Sequence, residues 1–420
     1  MRLRKQSLPL SILCLVAFSL FQASCRPELT EESLAAKARA IHDRVLTVDT
    51  HCDTASRLPG STWDIGVRHE PGQPGSGKID LPRMAEGGLD AEFFAVFVGQ
   101  GERTEQGYMK AKDWVLKTLA AIQAMCDKYP SLVGLALTPD DAYRLEKEGR
   151  RAAFIGMENG YPVGKTLSNL EEYYKLGVRY VTLCHSRDND ICDSSTDRQD
   201  TEDHGLSDFG REIVAACNRL GVMVDISHAS DQSFFDVLKV TKAPIIASHS
   251  SCRALCDSPR NLSDDMIRAL AANGGVIQIC FLSGYVRTPK PNPERDEALK
   301  ELQAKYGARR DIQDEAVRKK AREEYEAINA QYPEEKATVK ELVDHIEHVI
   351  KLVGIDYVGI GTDFDGGGGV KGCDDVSEMF RVTEELVRRG RTEKEIAKIW
   401  GGNIIRVLGR VIAVSRNLKS

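Results

Sequence analysis

Apolar residues along this chain gather in short, almost unbroken runs instead of alternating with polar ones. Eight runs stand out: "VLTVD" from Val45, "AEFFAVFV" from Ala91, "AAFIGM" from Ala152, "VRYVTL" from Val178, "VMVDI" from Val222, "PIIAS" from Pro244, "GVIQICF" from Gly275 and "YVGIG" from Tyr357. Runs of this kind are how strands buried on both faces read. Between them lie stretches of helical period, such as "DFGREIVAACNRLG" and "SDDMIRALAANGG", each with an acidic start and a glycine stop. Eight strands alternating with helices predict a closed (β/α)8 barrel of α/β class, with a doubly wound open sheet as the alternative.

One segment leaves this rhythm. From about residue 289 to 338 the chain is dense in Glu, Lys, Arg and Ala, with few apolar positions. Its helix propensity predicts a charged helical hairpin inserted after the seventh strand. Loops after barrel strands open on the catalytic face, so the hairpin is either a solvated excursion, a lid, or a contact surface.

Composition narrows the field. The chain has 420 residues, 42% of them hydrophobic, enough for one large catalytic barrel over 26–420. A net charge of -6 offers no electrostatic footprint for nucleic acid, and that class is set aside. The first 25 residues read as a signal peptide: Arg2, Arg4 and Lys5, then an apolar stretch from Leu8 to Phe21, then small residues. An uncleaved anchor is the alternative, though the stretch is short for a spanning helix. Cys25, following Ala23 and Ser24, resembles the lipid-attachment cysteine of bacterial lipoproteins, while Gln22 departs from the usual aliphatic residue. The expectation is an exported protein of the periplasm or cell envelope, with membrane attachment through a lipid on Cys25 left open. Of the eleven cysteines, Cys184, Cys217 and Cys280 sit in apolar runs and read as buried free thiols. Cys252 and Cys256 in "SCRALC" could pair or bind metal, with no second CxxC-like partner nearby to support the metal, and connectivity is left open.

Barrel catalysis sits at the C-terminal ends of the strands. There the runs finish in His51 and Asp53, Glu158, His185, His228, His249, and Asp363 with Asp365. Four of nine histidines fall at strand ends. Neutral imidazoles with carboxylates are a ligand set for zinc or a similar divalent ion. His51, Asp53, Glu158, His228 and His249 are too many for one open site. Two ions sharing a bridging carboxylate would use them all, and such a pair can hold a hydroxide and polarise a carbonyl. His345 and His348, three apart on the helix before the eighth run, read as structural. Gly366 to Gly369 read as a flexible loop at the mouth of the site.

These residues also carry a likeness. "VDTHCDT", "GMENG", "LCHS", "DISHAS", "ASHSSCRAL", "SPRNLSDD" and "GIGTDFDG", in this order, closely resemble the membrane (renal) dipeptidase family of zinc peptidases. The match runs from about residue 40 to "GGNIIRVLGRV" near the end. The resemblance implies a barrel of the metal-dependent hydrolase superfamily with two zinc ions per subunit. Its substrates would be dipeptides with a free C-terminal carboxylate, including some with a D-residue on that side. By likeness, His51 and Asp53 would bind the first zinc, Glu158 would bridge, and His228 and His249 would bind the second. His185 would face the substrate carbonyl or tetrahedral intermediate, Arg260 would grip the substrate carboxylate, and Asp363 would be the acid/base. Chemistry is consistent with each: a guanidinium holds a carboxylate bidentately, and an imidazole can stabilise a developing oxyanion. Cys52, between two expected ligands, and the charged insertion are departures. A second copy of the chain is a further expected partner. Two other readings stay open, a dizinc amide hydrolase acting on N-acyl amino acids and a surface binding protein without turnover.

Overall fold

The computed structural model describes residues 30–60, 62–197, 202–307, 314–333 and 335–419. The signal segment and Cys25 lie outside them. Each of the eight apolar runs overlaps a strand, and one short strand joins them. In chain order these are β1 (Val48–Cys52), β2 (Ala91–Phe97), β3 (Val133–Leu135), β4 (Arg151–Glu158), β5 (Val178–Thr182), β6 (Met223–Asp225), β7 (Ile246–Ser250), β8 (Val276–Cys280) and β9 (Val358–Gly361). Pairing is parallel throughout and runs β1-β2-β4-β5-β6-β7-β8-β9, the order of a (β/α)8 barrel. The ninth strand, β3, has no clear signal in the sequence. It is three residues long and takes the edge of β4 at Arg151–Ala153, below the point where β5 begins to pair at Ile155.

The seam between β9 and β1 closes at the catalytic rim. Asp53 N–H donates to the Phe364 carbonyl at 2.8 Å, and Asp363 N–H donates to the His51 carbonyl at 2.9 Å. One expected ligand position is therefore tied by backbone to the expected acid/base, and the other to the residue after it. Beneath them, Phe93 and Phe154 stack at 4.6 Å in the barrel interior. Ile404, Val407, Leu408 and Val411 of the C-terminal helix Asn403–Lys419 join the same core and close the floor. A larger apolar layer lies between strands and surrounding helices. The helices begin as their sequences suggest: Ser207, Ser230 and Ser263 each accept a backbone N–H three residues on. Helix Asp208–Leu220 stops at Gly221, whose φ of 88° suits glycine.

The charged insertion forms two helices, Pro293–Tyr306 and Glu315–Gln331, between β8 and the helix Val339–Val353. They pair through Tyr306 and Lys305 to Glu324 and through Arg295 to Asn329. The first buries no residue, while Ala321 of the second is buried. Among the described residues no helix is long and apolar enough to cross a membrane. All nine described cysteines are buried and free, Cys252 and Cys256 included. His345 is structural as expected: its Nδ1 accepts from Cys252 N–H at 3.0 Å, so its Nε2 donates to the Val286 carbonyl.

Candidate active site

The ends of β1, β4 and β7, with the segments that directly follow β1 and β6, deliver side chains to one point around Glu158. Glu158 is 3% exposed. Its Oε2 lies 3.5 Å from His51 Nε2. Its Oε1 lies 3.0 Å from His228 Nε2 and 3.5 Å from His249 Nε2. Asp53 Oδ2 is 3.8 Å from His51 Nε2. The structure therefore brings together all five predicted ligands. His185 stands 3.7 Å from Glu158 Oε1, within the same reach, with its ring edge-on to Phe97 at 4.8 Å.

Hydrogen bonding within the protein does not account for this cluster. His228 Nε2 and His249 Nε2 face each other at 2.9 Å. His51 Nε2 and Asp53 Oδ1 are buried without a hydrogen-bond partner. Burying polar atoms unpaired costs roughly 1–3 kcal/mol each, so a cluster of them needs a compensating ligand. Three sets of donors converge within 4.8 Å: His51 with Glu158 and His249, Glu158 with His185 and His228, and His51 with Asp53 and Asp363. Convergent imidazoles and carboxylates with bare lone pairs suit divalent metal, and the residues fit that group.

Electrostatics agree. Burial would raise the Glu158 carboxyl, but His51, His185 and His228 around it hold it well below the usual range. Burial, reinforced by Arg260, keeps His228 and His249 neutral, the form a metal ligand requires. At His51 burial opposes charge, yet Tyr180, Glu158 and Asp53 draw a positive charge to the ring, whether proton or metal. Asp363 behaves oppositely: burial and then Asp53 push its carboxyl well above the carboxylate range.

The backbone bends to make this possible. Among the described residues, the non-glycine positions with positive φ are Asn159, His228, Asp363 and Asp365, at 79°, 71°, 60° and 66°. All four belong to the site or adjoin it, and each costs about 1–3 kcal/mol. Gly366 is required by proximity: a Cβ there would lie 2.1 Å from Asp53 Oδ2 and 2.2 Å from Asp363 Oδ1. The glycine run is a tight turn and not the flexible loop expected, because the N–H groups of Gly366, Gly367 and Gly368 all donate to the Asp363 carbonyl. Cys52 points away into the core, where burial pushes its thiol up.

Arg260 is 3% exposed. Its Nη2 donates to the His249 carbonyl at 3.0 Å and its Nη1 to Ser250 Oγ at 3.3 Å. Its Nε has no partner, and its plane lies over Tyr285 at 5.2 Å. A buried guanidinium bonded only to neutral oxygens is poised for an anion. It shares a cavity of about 680 Å³ with Glu158, His185, His228, His249 and Asp363. Arg57 and Arg322 line the same cavity, Arg322 arriving from the second insertion helix.

Comparison with known proteins matches this geometry to a family. The family model for membrane dipeptidases, peptidase family M19, matches residues 35–420. The chain belongs to that family. Among relatives of this M19 chain, the dipeptidase tcpJ of Claviceps purpurea is 31% identical over 362 residues, covering 85% of this chain and 75% of its own. The crystal structure of the probable dipeptidase PvdM from Pseudomonas aeruginosa superposes with a TM-score of 0.78 at 33% identity, covering 91% of this chain and 99% of its own. A metallopeptidase from Rhodobacter sphaeroides, solved with a phosphinate mimic of L-Ala-D-Ala, shares the fold with a TM-score of 0.70 at 23% identity and covers 87% of this chain and 99% of its own. This chain is thus a metallodipeptidase of the M19 family, a hydrolase on a (β/α)8 barrel.

Several site residues escaped sequence reasoning. Tyr180, whose hydroxyl lies 2.8 Å from His51 Nδ1, sits mid-strand and looks like core. Asp49 carries a signal that went unread, an acid two residues before an expected ligand. It accepts from His51 N–H at 3.2 Å, Thr362 N–H at 2.8 Å and Thr362 Oγ1 at 2.5 Å, clasping the seam.

Proposed function

We propose that this M19 protein is an exported dizinc dipeptidase that requires a free C-terminal carboxylate and accepts a D-residue on that side. The observation that carries the reading is the pairing of a bare donor cluster around Glu158 with a buried, acid-free Arg260 in one cavity. His51 and Asp53 would hold one zinc, His228 and His249 the other, with Glu158 shared. Zinc in such a site polarises a carbonyl and supplies a nucleophilic oxygen at neutral pH. Export and attachment through a lipid on Cys25 rest on the basic and apolar leader.

The side chains divide the remaining work. Arg260 binds the substrate carboxylate in two parallel hydrogen bonds, which fixes the scissile bond relative to Glu158. His185, packed against Phe97, is placed to stabilise charge growing on the carbonyl oxygen. Asp363 handles the proton: its carboxyl accepts one from the attacking water and returns it to the leaving amine nitrogen. Its raised proton affinity suits the first half of that exchange, taking up the proton of the water.

The test uses one dipeptide as free acid and as C-terminal amide, with purified mature protein and zinc supplied. Hydrolysis of the free acid alone is expected. Equal hydrolysis of both would remove the clamp at Arg260, and hydrolysis of neither would overturn the proposal. L-Ala-D-Ala beside L-Ala-L-Ala checks the D-residue, and a faster D-form is not required, only measurable turnover.

A further inference from the structure

We infer that Asp225, acting through Ser248, is a positioning residue that sets the tautomer of His249 and so turns its Nε2 lone pair toward the site. The inference deepens the metal reading above and rests on it.

The argument is a count of hydrogens. Asp225 ends β6 and is fully buried. Its Oδ1 accepts from the backbone N–H groups of Ser227 at 3.0 Å and Ser248 at 2.8 Å. Its Oδ2 accepts from Thr182 Oγ1 at 2.5 Å and Ser248 Oγ at 2.7 Å. A carboxylate only accepts, so the single hydrogen of the Ser248 hydroxyl is committed to Asp225. Ser248 Oγ also lies 2.8 Å from His249 Nδ1. With its hydrogen spent, the hydroxyl can only accept there. His249 Nδ1 must then carry the proton, and Nε2 is left bare, 3.5 Å from Glu158 Oε1. A metal-binding histidine commonly owes its orientation and basicity to such an outer partner.

The other two expected histidine ligands lack this determination. His51 Nδ1 meets the Tyr180 hydroxyl, which can either donate or accept. His228 Nδ1 has no partner among the described residues. His249 is therefore the ligand whose protonation pattern the fold dictates, through a chain that crosses three strands from Thr182 to Asp225 to Ser248.

The isosteric variant Asp225→Asn makes a sharp prediction. The two backbone N–H groups would hold the amide oxygen at the Oδ1 position, leaving the amide nitrogen facing Ser248 Oγ. That nitrogen donates, so the Ser248 hydrogen is freed to point at His249 Nδ1, and the ring proton moves to Nε2. The proton would then occupy the metal-facing position.

Two readouts test this. In metal-free protein with ¹⁵N-labelled histidine, His249 should show a protonated Nδ1 in the wild type and a protonated Nε2 in Asp225→Asn. In zinc titrations against a competing chelator, Asp225→Asn should weaken one of two ions by about 10–100-fold and leave the other near its wild-type affinity. Ser248→Ala removes the acceptor without adding bulk, serving if Asp225→Asn fails to fold, and should weaken the same ion. An unchanged tautomer in the folded variant overturns the inference, as does equal weakening of both ions, the mark of general distortion. If the wild type binds no zinc, the metal reading fails, while the nitrogen spectra of the metal-free protein still decide the relay.

Discussion

The catalytic rim and the charged insertion are both rich in ionisable residues, yet they hold them in opposite ways. At the rim, Glu158, His249 and Arg260 are at most 3% exposed and each is fixed by strand ends or by partners behind it. On the insertion, pairs such as Arg322 with Glu326 at 2.8 Å join side chains about half exposed, one turn apart on a single helix. Exposed pairs of this kind gain little, because water already solvates both ends. Buried groups left unmatched are costly, so they persist where a ligand completes them. Charge density alone says nothing of function; burial without partners does.

The largest test of this contrast is Arg260→Gln. Its kcat/KM for free-acid dipeptides should fall roughly a hundredfold or more, since a buried charged contact is removed. Zinc content, read by elemental analysis, should stay at the wild-type level. Loss of metal together with activity would mean that Arg260 supports the cluster and does not grip substrate.

A buried group away from the site separates burial from chemistry. His42 is 1% exposed, with Nδ1 2.7 Å from Thr383 Oγ1 and Nε2 2.9 Å from the Gly87 carbonyl. Burial lowers its pKa from 6.5 to about 4. The folded state therefore keeps it neutral while the unfolded chain takes up a proton below pH 6.5. Its contribution to stability is complete above that pH and drains away as pH falls toward 4, by about 3 kcal/mol in all. Denaturant melts of His42→Gln should be less stable near neutrality but show a shallower acid slope. An identical slope in both proteins would show that other groups control acid unfolding.

Next in size is the seam. Thr362→Val removes the hydroxyl that donates to Asp49 and accepts from Phe364 N–H at 3.1 Å. We expect a loss of about 1–3 kcal/mol in denaturant melts of metal-free protein. On the proposed dizinc reading, both zinc affinities should remain close to wild type, unlike the selective loss expected at Asp225. The two aspartates form a natural pair, since each accepts a backbone N–H two residues on and another on the next strand. Only Ser248 reaches onward to an imidazole, so only the Asp225 side should discriminate between the ions.

Smallest is Arg322→Ala on the insertion. Although Arg322 lines the cavity, it is half exposed and already paired, and kcat/KM should change by no more than about threefold. A drop comparable to that of Arg260→Gln would promote the insertion from a wall of the mouth to a part of the binding machinery.

Much of the site was legible before any fold was known, because barrel strands expose their last residues on one face. His51, Asp53, Glu158, His228, His249 and Asp363 each end an apolar run, and reading run ends is enough to collect them. Arg260 came from the motif resemblance, for it lies in a loop with no periodic signal. The glycine run was misread, since conformational freedom in the sequence does not reveal three N–H groups gathered on one carbonyl. The strand β3 escaped because "VGL" is too short to carry a pattern and forms only where β4 leaves an open edge.

The linear order of residues was enough to determine the barrel, the ends of its strands and the set of groups that meet there, because hydrophobic period and strand polarity are local properties. Tertiary structure alone decided how those groups are held. Tyr180 against His51, Thr362 against Asp49, and Thr182 and Ser248 against Asp225 are contacts between different strands. Their hydrogen-bond directions depend on which side chain lies opposite, and register between strands is a long-range quantity that no local window of sequence contains.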